Sequence, residues 1–141
     1  MEPTAILGPI AAQVLLFFVI AGALGYVRWR DIAAKRVRIQ DSAIDYDIWS
    51  DRAMQVANCY RNQFEMPVLF YLVCVLALIT RTVDHTFLYL AWAYVGFRVV
   101  HAAIHMTINI VALRGLALFG SAIVLIAMWI LFLSAVSAAT A

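Results

Sequence analysis

Two short sets of polar residues interrupt an otherwise apolar chain, and the spacing puts each set on one face of a helix. Asn58, Arg61, Asn62 and Glu65 are separated by steps of three, one and three. Arg98, His101, His105 and Asn109 follow steps of three, four and four, and Tyr94 extends them by one turn. Residues three and four apart share a helix face. The chemistry such groups offer is recognition of an anion. Arg28, Arg61, Arg98 and Arg114 outnumber the one nearby carboxylate expected to be buried, Glu65. Guanidinium forks match carboxylates, so a lipid head group or a carboxylate-rich small molecule would balance the excess. The competing reading is internal satisfaction. Glu65 would then pair with Arg61 in its own helix or with Arg98 across the bundle, and Asn109 would cap a helix end. His101 and His105 also have a spacing that suits a metal. No further cluster of His, Cys or carboxylate supplies the missing ligands, and two cationic neighbours oppose a metal cation, so none is expected. Cys59 lies near positive charge, but the role of a small buried apolar residue suits it better than that of a redox thiol.

These groups are unusual because of what surrounds them. The 141 residues are 66% hydrophobic and 13% charged, with mean hydropathy +0.93. A soluble domain is about 45–50% apolar and about 25% charged. The composition is that of an integral membrane protein. Two cysteines in apolar runs exclude a disulfide scaffold, and a net charge of +2 gives no case for nucleic acid. A helix crossing the ~30 Å hydrocarbon core needs about 20 apolar residues. The runs predict four spans, at about 6–28, 51–80, 86–113 and 115–138. The fold class is an all-α four-transmembrane-helix bundle, a single domain over 1–141. Met66–Thr80 is only 15 residues, so the second span must begin earlier and carry Asn58–Glu65 with it. Ser50 and Asp51 mark its start. The first run has Glu2 ahead of it and no small-residue cleavage site before Arg28, so it reads as a retained span rather than a signal peptide. An intramembrane Arg such as Arg98 costs roughly 2.5–3.5 kcal/mol on insertion scales, and therefore faces the bundle interior.

Charge sets the expected orientation. Arg28, Arg30, Lys35, Arg36, Arg38 and Arg52 are six of the ten basic residues and lie in or beside the first loop. The positive-inside rule puts loop 29–50 in the cytoplasm, together with the turn expected at 113–115, and both termini on the opposite side. Asp41, Asp45, Asp47 and Asp51 partly neutralise that loop.

Several segments resemble the MAPEG family, the membrane-associated proteins in eicosanoid and glutathione metabolism. Arg61-Asn62-Gln63-Phe64-Glu65 with Pro67 is similar to the RNxxE…P segment of that family's second helix. Arg98-Val99-Val100-His101 resembles its RxxH in the third helix, and Arg114, sixteen residues after Arg98, stands where the synthase branches have a catalytic arginine. Val27-Arg28-Trp29-Arg30 resembles the basic exit of the first helix. Length and span number agree, so the resemblance covers essentially the whole chain. Three positions depart from the pattern: His105 replaces a tyrosine, Asn58 replaces an arginine found in many members, and Gly115 replaces the serine of one synthase branch.

The resemblance implies a homotrimer with glutathione as co-substrate, held between neighbouring subunits near the cytoplasmic face. Arg28, Arg61, Asn62, Glu65, Arg98, His101 and His105 would bind it, Glu65 meeting its ammonium group, and Arg114 would stand by the thiol as the catalytic residue. The expected activity is a glutathione transferase, or a peroxidase, acting on a lipophilic small molecule dissolved among the membrane lipids. Two alternatives are a non-catalytic lipid-binding member and a small accessory subunit of a larger membrane complex.

Overall fold

The apolar runs fold as helices throughout. A computed structural model of the chain describes residues 2–41 and 48–140. Asp45 and Asp47 of the first loop lie outside the described residues. A 3-10 turn at Pro3–Ile6 leads into α1 (Leu7–Ala33). Then come α2 (Asp51–Arg61), a 3-10 turn at Asn62–Phe64, α3 (Met66–Ile79), α4 (His85–Met106) and α5 (Val111–Thr140). Four segments are long and apolar enough to cross a membrane: Thr4–Ala33, Asp51–Ile79, His85–Met106 and Val111–Ala139.

The core lies where α3, α4 and α5 meet. Phe70, Val73, Cys74 and Ala77 of α3 pack on Phe87, Ala91, Tyr94 and Val95 of α4 and on Leu125, Met128 and Phe132 of α5. Phe70 and Tyr94 stack with ring centroids 4.4 Å apart. The outward residues of α5, including Leu116, Phe119, Ile123 and Ile130, are exposed and apolar, the pattern of a surface meant for lipid. α4 and α5 run antiparallel and approach closely at Gly120, where a Cβ would fall 2.6 Å from the Phe97 ring.

Three boundaries differ from those expected. α1 continues to Ala33 rather than ending near residue 28. It closes with Lys35 at φ 56°, the Arg36 N–H donating to the Asp31 carbonyl at 3.0 Å and the Lys35 N–H to that of Ile32 at 2.9 Å. The second span is not one helix. Glu65 (φ −100°, ψ −103°) separates the 3-10 turn from α3. Pro67 lacks the N–H that would bond the Gln63 carbonyl, and its ring excludes that carbonyl; in the first turn of α3 neither matters. The third helix stops at Met106, not residue 113, and residues 107–110 form the connection. Asn109 takes φ 49° there and donates its N–H to the Ile104 carbonyl at 2.8 Å, a conformation asparagine tolerates. The turn expected at 113–115 is therefore helical, and Arg114 belongs to the first turn of α5.

α1 and α2 are tied at their common end by a carboxylate, Asp31. Asp31 is 4% exposed, and its Oδ2 accepts from the Ser50 N–H at 3.1 Å and from Ser50 Oγ at 2.7 Å. Ser50 Oγ in turn accepts from the Ala53 N–H at 3.3 Å and caps α2. Asp31→Ala strands both donors, which costs about 1–3 kcal/mol. Its thermal unfolding midpoint in detergent should fall, whereas Arg38→Ala, on the exposed loop nearby, should leave the midpoint unchanged.

Candidate functional site

The end of the bundle where α2 begins and α4 finishes is assembled by side chains reaching for helix-terminal carbonyls. The last carbonyls of a helix have no partner within it. Gln55 Nε2 donates to the His105 carbonyl at 2.6 Å and to that of Thr107 at 3.4 Å, and Arg52 Nη1 donates to the carbonyl of Met106. α2 is thereby held against the end of α4. One turn further on, the same side of the second span presents Asn58 and Arg61 of α2, Asn62 of the 3-10 turn and Glu65 at the break to a cavity of about 440 Å³. His101 and His105 of α4 form the second wall. Val111, Arg114, Gly115 and Leu118 of α5 form the third.

Hydrogen bonds fix several of these groups. His101 Nδ1 lies 3.0 Å from the Arg114 carbonyl oxygen, and its Nε2 lies 3.4 Å from Asn62 Nδ2. A carbonyl only accepts and an amide nitrogen only donates, so both contacts require the neutral tautomer with the proton on Nδ1. His101 thus joins all three walls. Arg114 Nη1 donates to Asn109 Oδ1 at 2.8 Å, which aims the guanidinium. The His105 ring meets that of His101 edge to face at 5.5 Å, and its buried Nδ1 has no partner among the described residues. Val111 and Arg114 lie in the first turn of α5, so the positive end of that helix dipole adds to the cationic field.

Arg98 is fully buried one turn deeper, beneath His101. Its Nη2 donates to the Asn62 carbonyl at 2.9 Å, while Nε and Nη1 are buried without a partner among the described residues. The Tyr94 hydroxyl is in the same condition. The expectation that Glu65 is a buried carboxylate is corrected here, for Glu65 is exposed on the open side of the cleft. Its backbone stands at the break before α3, which turns it away from the interior.

Of the eight expected site residues, Arg61, Asn62, Glu65, His101, His105 and Arg114 line one cavity, and Arg98 reaches its Asn62 wall from below. Arg28 stands apart. Its guanidinium lies over the Trp49 ring, 4.8 Å from the centroid, and it does not line the cavity. Arg52 and Gln55 are not among the expected residues, although they continue the face of Asn58 and Asn62 along the second span at helical spacing. Gln63 occupies a variable position of the RNxxE motif. It is 4% exposed, accepts from Gln13 Nε2 at 3.2 Å and donates to the Cys59 carbonyl at 3.3 Å, locking α1 to the second span.

The family model for MAPEG matches residues 6–134, which takes in most or all of each span and every residue of the cavity. The chain belongs to the MAPEG family. It is thus a multi-pass integral membrane protein of the family associated with glutathione and eicosanoid metabolism. No curated protein and no solved structure matches this MAPEG chain at a significant level. The three positions at which this MAPEG sequence departs from the pattern, Asn58, His105 and Gly115, all line the cavity. The departures therefore change the cavity itself rather than the bundle that frames it.

Proposed function

We propose that the protein is a membrane-bound glutathione-dependent transferase that activates the glutathione thiol for attack on a lipophilic electrophile. The observation that carries this reading is a cleft of about 440 Å³ with Arg61 and Arg114 on its walls, beneath which Arg98 has two buried nitrogens with no partner among the described residues. A carboxylate-bearing ligand supplies the acceptors that the buried Arg98 nitrogens lack, and Glu65, also lining the cleft, suits the ligand's ammonium group. Asn62, His101 and His105 add donors and acceptors between the charges. Glutathione is the co-substrate in this reading, and the electrophile arrives from the bilayer. The protein acts as a homotrimer, with Arg28 contributed to the cleft of a neighbouring subunit. Loop 29–50 and the α4–α5 connection face the cytoplasm, with both termini opposite, as the basic residues around the first loop favour.

The test is a titration of glutathione into detergent-solubilised protein, followed by thiolate absorbance at neutral pH. A free thiol with pKa near ~8.5 is only a few per cent ionised there. Saturable thiolate formation, with conjugation of a generic electrophile, is the expected result. Binding without thiolate or conjugation would leave a non-catalytic, lipid-binding role.

A further inference from the structure

A second cationic cavity lies outside the cleft, where α1 ends and α2 begins. It has a volume of about 200 Å³, several times the roughly 30 Å³ share of one liquid water. Arg30, Arg36 and Arg52 line it, together with Asp31, Ser50, Val27 and Ala34. Asp31 is the one carboxylate among these residues, and it is already engaged: Oδ2 accepts two bonds from Ser50, and Oδ1 lies 3.7 Å from Arg36 Nη1. Arg52 uses Nη1 for both of its bonds, to Met106 and Gln55, leaving the rest of its fork uncommitted among the described residues. Three guanidiniums therefore surround one occupied carboxylate, and the start of α2 adds its dipole in the same sense. The cavity calls for a compact anion with several oxygens.

Its depth says where that anion comes from. Tyr26 and Trp29 of α1 are 59% and 63% exposed, with ring centroids 6.3 Å apart. Exposed Tyr and Trp near the end of a spanning helix sit at head-group level. Arg30 follows Tyr26 by four residues, about 6 Å along the axis, on the same side of α1. We infer that this cavity binds the phosphate of an anionic phospholipid head group. Planar guanidinium forks pair with phosphate oxygens, and the aromatic pair beside them flanks the glycerol and upper acyl region.

The experiment follows energy transfer from tryptophan to dansyl-phosphatidylglycerol added to the protein in phosphatidylcholine vesicles. Each guanidinium near the surface contributes a factor of about five to anionic-lipid binding. Arg30→Gln and Arg36→Gln should each weaken the interaction about fivefold, and the pair about 25-fold. Both side chains are exposed, so the variants should unfold at the wild-type temperature. Arg38→Gln removes an equal charge from the same end of the protein but from outside the cavity, and should change nothing. Equal weakening by Arg38→Gln would overturn the site in favour of diffuse surface charge. Excess inorganic phosphate should leave the transfer intact; displacement by it would overturn the lipid as the source and indicate a soluble phosphate instead. None of these readings involves glutathione, so they stand or fall independently of the cleft's activity.

Discussion

Arg98→Met should abolish glutathione binding while leaving the ligand-free protein as stable as the wild type, or more so. Arg98 is fully buried, and two of its nitrogens have no partner among the described residues. An uncompensated buried cation destabilises the empty protein, and an apolar side chain of similar length removes that cost. The loss on the other side is small, since only the bond to the Asn62 carbonyl disappears, worth about 1 kcal/mol. With a carboxylate-bearing ligand present the balance reverses. Two charge-assisted hydrogen bonds at about 1.5–3 kcal/mol each correspond to a loss of affinity of roughly a hundredfold or more. Calorimetric titration and thermal unfolding of the same sample read the two quantities. A fall in both stability and affinity would make Arg98 a strut of the bundle rather than a group waiting for an anion.

Arg114→Ala should slow turnover at neutral pH roughly 25-fold and leave glutathione affinity within a few-fold. The size follows from the thiol. Lowering its pKa by about two units from ~8.5 requires roughly 2.7 kcal/mol, which one guanidinium in a partly dehydrated site can supply. Without that cation the bound thiol returns toward its free pKa, so the reactive fraction at neutral pH falls from most of it to a few per cent. The sign of the pH dependence is fixed by the same argument. The deficit is largest below the free thiol's pKa and closes as pH rises above ~9, where the thiol ionises unaided. Arg114→Lys should recover part of the rate, because it keeps the charge and loses the planar fork. Asn109→Ala should fall between them, since Asn109 Oδ1 holds the guanidinium at 2.8 Å. Superimposable pH–rate profiles for Arg114→Ala and wild type would remove Arg114 from the chemistry.

Much of this arrangement was legible in the sequence because helical periodicity fixes faces. Asn58, Arg61, Asn62 and Glu65 share one side of the second span, and His101 and His105 meet them across it, as a spacing of three and four requires. What could not be read there was where the helices stop. Five of the seven residues 107–113 are apolar, so the change from α4 to α5 leaves little mark in hydropathy. The one local signal is Asn109, a residue type that takes positive φ readily but whose spacing also continues the stripe of Arg98, His101 and His105. The spacing puts Glu65 on the face of Asn58, Arg61 and Asn62 but says nothing of its depth, and at the break ahead of Pro67 it is exposed. Asp31 and Gln55 were invisible for a different reason: each satisfies a backbone group of a distant segment, and nothing in the sequence says which carbonyl or N–H will lack a partner.

The side chains that bridge α2 to the end of α4 also determine the mechanics of the cleft. Gln55 and Arg52 grip the terminal carbonyls of α4 at one height, and Arg98 grips the Asn62 carbonyl of the opposite wall at another. Residues 55 and 62 are about 10 Å apart along a helix. Two walls pinned above and below the gap form an aperture of set width, and His101 fastens the α5 wall to it through the Arg114 carbonyl. Most of the ordering that a ligand would otherwise impose is completed when the chain folds, so little affinity is lost to induced fit. The backbone amides on either side of the aperture should accordingly show little added protection from hydrogen exchange when a ligand enters, a rigid receptor's response rather than a closing jaw's.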